Sequence, residues 1–344
     1  MRKVLAIALP LAVVLESALL LAQGRGPYTP PRTVDGHPDL QGMWDVSTVT
    51  PVERPQGLPA VLTEEQARQQ ENQESNRVAN AARPSNPDRN APPVGANVGT
   101  YNYFWIDRGS SVIVVDGQRR SSLVVDPADG RVPPLTDEAQ RRNAGRRGTA
   151  ARPTSDAIES TAAGEYDGPE LRPLAERCLI GFGSTSGPPT LPNYGYNNLK
   201  QIVQTRDDVM ILNEMVHDVR IIRLNRTAHQ PAAIRNWFGD SIGRWEGDTL
   251  VVETTNFTDK TRFRGSSEHM RVVERFTRVA PDTILYRFTI DDPVTWVKPW
   301  TGEYPWVVSN STLYEYACHE SNYALEGILR GARLLENEDA GARR

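Results

Sequence analysis

Over the second half of the chain, hydrophobic residues recur with period two, and acidic turns punctuate them. Three apolar runs each begin on such a turn: Asp208-Val209-Met210-Ile211-Leu212, Asp248-Thr249-Leu250-Val251-Val252 and Asp282-Thr283-Ile284-Leu285-Tyr286. Another strand-like run precedes each of them, at residues 201–204, 242–245 and 272–279. Side chains alternate across a strand. Ile284, Tyr286, Phe288 and Ile290 therefore share one face, with Thr283, Leu285, Arg287 and Thr289 on the other. In the second unit Thr249, Val251, Glu253, Thr255 and Phe257 share a face. No long amphipathic helix separates the runs, as a parallel α/β sheet would require. The pattern predicts a succession of antiparallel hairpins. Closure into an up-and-down barrel, or a strongly curled sheet, removes the exposed edges such a series leaves. The expected fold is mainly β, with a few short peripheral helices.

Upstream the texture is less regular. Thr63 and Gln66 form a capping-box pair at the start of a polar helix reaching about Val78. Residues 80–99 read as a loop rich in Pro, Asn and Ala. Phe104-Trp105 and residues 111–115 are strand-like, and Asp116-Gly117 is a two-residue hairpin signal. A short helix starts at Thr136, and residues 141–168 read as a charged surface excursion. Trp296, Trp300, Trp306 and Tyr314 supply rings that either close a pocket or cap a core. Residues 322–333 form a short helix with Leu325, Ile328 and Leu329 inward, and 334–344 read as a disordered tail. The organisation is one β-rich domain, 39–333, with a loop and helix insertion around 50–170.

The N-terminus changes the picture of where the protein works. Arg2 and Lys3 precede an apolar run that Pro10 bends and Glu16 interrupts, and Leu20-Leu21-Ala22 offers a small residue for cleavage. This is the pattern of a secretory signal over 1–22 rather than of a membrane span. Residues 23–38 read as an extended leader. A net charge of −4 with no basic block does not point to nucleic acid, and no later segment is apolar enough to insert into a bilayer. The expected location is periplasmic or secreted. In an oxidising compartment the two cysteines, Cys178 and Cys318, form either one disulfide or two separate buried thiols, with the disulfide favoured.

Several strings occur together: Pro38-Asp39-Leu40-Gln41-Gly42-Met43-Trp44, Asn213-Glu214-Met215-Val216-His217-Asp218, the run from Arg244-Trp245-Glu246-Gly247-Asp248 to Asn256-Phe257, and Tyr314-Glu315-Tyr316-Ala317-Cys318-His319-Glu320. With them the chain resembles a large family of uncharacterised secreted bacterial proteins, from about Asp39 to Arg333. The resemblance implies export and a single β-rich unit, and carries no catalytic roles. Gly42-Met43-Trp44 entering a strand is also similar to the opening of lipocalin-like barrels, in which the Trp plugs one end. That likeness concerns fold and not activity.

The sequence lacks a G-x-S-x-G elbow, a phosphate loop, a dinucleotide fingerprint, C-x-x-C and H-E-x-x-H. No cofactor and no metal is called for: none of the five histidines has metal-ligand spacing to another. Polar residues within strand-like segments remain. Glu253 follows Leu250-Val251-Val252 directly. It is either a general acid or base inside the barrel or one half of a Glu–Arg cross-strand pair. His217 closes an apolar strand, and His319 sits beside Cys318. Each is either an acid–base group or a strand-end hydrogen-bonding residue. The preferred reading is a barrel binding a small, partly apolar molecule, with Trp245, Asn256, Arg275, Tyr286, Trp300 and Tyr316 as candidate lining. The rival is a cofactor-free enzyme (hydratase, isomerase, lyase or hydrolase) that uses Glu253, His217 or His319. A third reading is an envelope scaffold with a filled barrel.

Overall fold

A computed structural model describes residues 28–83, 88, 90, 106–144, 166–181, 187–192, 195–260, 263–320 and 322–342. The signal segment, Phe104-Trp105 and most of the 80–99 loop and the 141–168 excursion lie outside them. The predicted hairpins are present: β5 (Leu199–Gln204) with β6 (Asp208–Asn213), β8 (Asp240–Glu246) with β9 (Thr249–Thr255), and β10 (Arg271–Ala280) with β11 (Thr283–Asp291). β12 (Trp300–Val308) pairs with β11, and β1 (Gly42–Asp45) pairs with both β5 and β12. With β7 (Val219–Arg223), these strands close a nine-stranded barrel. β4 (Val124–Asp126) attaches to β12, and the predicted Asp116-Gly117 turn joins β2 (Val114–Val115) to β3 (Gln118–Arg119).

The barrel departs from a simple up-and-down order at one seam. β7 and β8 run parallel, through the pairs Ile222↔Ser241 and Arg223↔Ile242 only. A parallel neighbour requires the chain to return to the starting end, and residues 224–239 form that crossover. β7 is also the strand the hydrophobic pattern conceals. Its apolar Val219 and Ile221 face outward and are exposed, while Arg220 points inward and is buried. The polarity of this strand is inverted relative to its neighbours.

Cross-strand register places Ile284, Tyr286, Phe288 and Ile290 on the inner face, with Phe276, Trp300, Tyr304 and Trp306 beside them. All eight are at most 1% exposed. Trp296 joins this core, and Tyr314 stays outside it. Gly302 is needed here, because a Cβ at that position would lie 2.4 Å from the Phe288 ring. Trp44 closes one end of the barrel, its Nε1 donating to Leu40 O at 3.0 Å. The leader seals the same end: His37 stacks on Trp245 at 4.8 Å, and Arg278 donates to Asp39 O.

Peripheral helices follow the expected caps. α1 (Glu64–Ala81) starts on the Thr63–Gln66 capping box, and Thr136 Oγ1 accepts from Ala139 N ahead of α2 (Asp137–Ala144). α3 (Tyr323–Ala342) has Leu325, Ile328 and Leu329 half-buried. It continues well past Arg333, through most of the segment read from sequence as a tail. A disulfide joins Cys178 to Cys318 and ties the segment before α3 to residues 166–181. No helix among the described residues is long and apolar enough to cross a membrane.

Candidate functional site

The middle of the barrel is filled. Besides the aromatic rings, residues 187–192 are buried against the inner wall. Thr190 N donates to the Tyr286 hydroxyl at 2.9 Å, and the Tyr304 hydroxyl donates to Thr190 O at 3.0 Å. The Tyr286 hydroxyl in turn donates to Glu274 Oε1 at 2.8 Å. Burial and the neighbouring Glu274 carboxylate push the Tyr286 pKa well above its usual value, so the phenol keeps its proton and its donor role.

Glu274 forms a two-pronged ion pair with Arg220, with NH1 at 2.9 Å from Oε1 and NH2 on Oε2. Arg220 also donates to Ser241 Oγ and Thr254 Oγ1, both at 3.1 Å. Ser241 and Thr254 are themselves bonded at 2.9 Å. Such a pair survives burial only when its remaining donors and acceptors are satisfied, and here every nitrogen of Arg220 and both oxygens of Glu274 take part in a hydrogen bond.

Near the turn that follows β6 a second cation is treated differently. Lys200 faces inward, opposite Asn213 across the β5–β6 pair, and is fully buried. Among the described residues its Nζ has no hydrogen-bond partner, and neither do the buried Asn213 Oδ1 and Asp218 Oδ2. Desolvation lowers the Lys200 pKa to about 8, against the attraction of Glu214, Asp218 and Asp45. Desolvation likewise raises Asp218 to about 7, opposed by Lys200.

The string Asn213-Glu214-Met215-Val216-His217-Asp218 builds this turn. Val216 and His217 adopt left-handed backbone conformations in succession, with φ of 59° and 47°. For a β-branched residue that is a strained state, held by its surroundings. Asn213 N and Nδ2 both donate to Asp218 O, at 2.8 and 3.3 Å, and close the turn. The Glu214 carboxylate accepts from Leu199 N at 3.2 Å and from Tyr314 N at 2.9 Å.

A cleft of about 450 Å³ lies beside Asp218, where β7 and β8 part. Ahead of Ile222, β7 pairs with β6 on one side and with no described strand on the other. Val219, Ile221, Trp237 and Phe238 supply the apolar part of a lining that is mainly polar, and Arg220 and Ser241 connect the cleft to the buried network. Arg235 also lines it, and is held by Phe257 O and Glu268 O, each at 3.0 Å.

None of the residues singled out from sequence lines this cleft. Glu253 lies on the outer face, not inside the barrel. It pairs with Arg271 and contacts His229 Nε2 at 3.3 Å. The Arg271 guanidinium, helped by His229, holds its carboxyl below the usual range. This is the cross-strand Glu–Arg alternative, and the physical reason is register: Glu253 has the parity of Thr249 and Val251. His217 and His319 are exposed, and no hydrogen bond or ion pair joins either of them to Glu253 among the described residues.

The candidate lining is dispersed as well. Tyr286 and Trp300 belong to the packed core, and Trp245 lies at the sealed end against His37. Arg275 is on the outer face, 2.7 Å from Glu246. Asn256, at φ 60°, donates its side-chain amide to Gln230 O, Pro231 O and Ile234 O and so pins the crossover. Tyr316 is half-buried and stacked on Tyr196. Sequence reasoning passed over Lys200, Arg220 and Glu274. One signal was available: in Lys200-Gln201-Ile202 the lysine has the inward parity of Ile202.

Comparison with known proteins gives no match to a family model, to a curated protein or to a solved structure.

Proposed function

We propose that this is an exported protein that binds a small, partly apolar molecule, and that the molecule occupies the cleft between β7 and β8 rather than the middle of the barrel. The observation that carries the reading is the cleft itself: about 450 Å³, with a mixed lining in which polar surface outweighs apolar, and with Asp218, whose carboxylate accepts no hydrogen bond among the described residues, at its edge. Its size and mixed lining fall in the range of small-molecule sites. Export rests on the N-terminal pattern and agrees with the Cys178–Cys318 disulfide. Native mass spectrometry of protein purified from the periplasm, followed by fragment screening by thermal shift, tests the binding reading. We expect a bound or stabilising small molecule whose effect disappears in Val219→Trp, which fills the cleft. It should persist in Val279→Trp, an equally exposed position on β10. Persistence in Val219→Trp, or no ligand in either assay, rejects the reading.

A cofactor-free acid–base enzyme is the second reading, and Asp218 is what favours it. A carboxyl raised to about 7 beside a cleft is matched to proton transfer near neutral pH. On that reading Asp218, and not Glu253, is the acid–base group.

A further inference from the structure

We infer that the ligand of the β7–β8 cleft is an organic cation: an ammonium group bound by Asp218, with an apolar or aromatic body lying along Val219, Ile221, Trp237 and Phe238. The inference rests on the cleft reading above and specifies its chemistry.

Charge balance around the cleft favours a cation. Arg220 is neutralised by Glu274 through two contacts, and Arg235 is engaged by Glu268 at 3.4 Å and by two carbonyls. The cationic groups of the cleft are thus already committed. Behind it, a single ammonium, Lys200, is faced by three carboxylates: Glu214, Asp218 and Asp45. Glu214 spends its oxygens on the backbone N–H groups of Leu199 and Tyr314, and Asp45 Oδ1 accepts from Ser47 N. Asp218 differs from both: it lines the cleft, is only partly buried, and its carboxylate accepts no hydrogen bond among the described residues. This region therefore holds acid in excess, and among the described residues nothing donates to the Asp218 carboxylate. An anionic guest would meet repulsion there, whereas a protonated amine would supply the missing donor.

Wall chemistry is the second argument. Trp237 and Phe238 are half-buried at the cleft, and aromatic faces attract cations through their quadrupole. A carboxylate combined with aromatic walls recognises alkylammonium groups, while Val219 and Ile221 offer apolar surface for the rest of the molecule. Asn213 Oδ1, also without a partner, is a further acceptor beside Asp218.

Isothermal titration calorimetry of the purified protein with three probes of similar shape tests this: phenethylamine, phenethyl alcohol and phenylacetate. Mildly alkaline buffer keeps Asp218 ionised and the amine protonated. A charge-assisted hydrogen bond predicts that the amine binds about tenfold or more tightly than the alcohol, with phenylacetate weakest. In Asp218→Asn, which preserves shape, the preference for amine over alcohol should vanish. In Trp237→Leu both should weaken. Equal affinity for amine and alcohol in the wild type overturns the cation inference and leaves the cleft reading standing, as does a preference that survives Asp218→Asn. Saturable binding of none of the three probes overturns the cleft reading itself. The wild-type comparison decides the question even if a variant fails to fold.

Discussion

Two cations are buried inside this barrel, on strands separated only by β6, and their surroundings are opposite. Arg220 spends its guanidinium on Glu274, Ser241 and Thr254, and Glu274 is further bound by the Tyr286 hydroxyl. Lys200 is equally buried, yet among the described residues its ammonium, Asn213 Oδ1 and Asp218 Oδ2 are all left without hydrogen bonds. A satisfied polar network specifies packing, whereas a buried polar group without a partner costs free energy and requires another explanation. The satisfied cluster sits where the barrel is filled. The unsatisfied one sits beside strained backbone and the β7–β8 cleft, where the proposed ligand would bind.

The largest effect is expected at Glu274. Glu274→Gln leaves Arg220 charged and buried without its anion, and should cost about 3–5 kcal/mol by chemical denaturation. An Arg220→Met/Glu274→Leu double variant should recover most of that loss. If Glu274→Gln melts like the wild type, the network is not a structural keystone.

Next is the pH dependence at the other cluster. The folded pKa of Lys200, about 8, lies below its ordinary 10.5. Its contribution to stability is therefore present above 10.5 and lost as pH falls through 8. Asp218 runs the other way, raised from 3.8 to about 7, so its contribution is present below 3.8 and lost as pH rises through 7. Together they predict a trough in stability near pH 7–8. Lys200→Met should remove the alkaline limb, an effect on the order of 3 kcal/mol at most. Denaturation curves from pH 6 to 9.5 (roughly the span over which both groups titrate) measure it, and an alkaline limb unchanged in Lys200→Met would contradict the assignment.

The smallest effect belongs to Glu253. As a partly exposed partner of Arg271, its replacement by Gln should change stability by no more than about 1 kcal/mol. A loss several times larger in a thermal melt would mean that the His229 contact anchors the crossover more strongly than a surface pair.

By itself the sequence determined the strand alternation, the three hairpins, the Thr63–Gln66 capping box and the turns, and it favoured a Cys178–Cys318 disulfide over two separate thiols. These are local signals: period two, Thr63 with Gln66, Asp116-Gly117. It did not reveal β7, because Val219, Ile221 and Arg220 read in the wrong sense for a strand with an apolar inner face. Nor did it decide which face of β9 points inward. Alternation separates Glu253 from Val252 and Thr254, and only closure of the sheet says which set is inside. The parallel β7–β8 seam, the chain at 187–192 within the barrel and the meeting of Lys200, Asn213 and Asp218 depend on contacts between segments distant in sequence. Their energies arise from desolvation and from partners that exist only once the barrel has closed, so the tertiary structure alone could place the cleft.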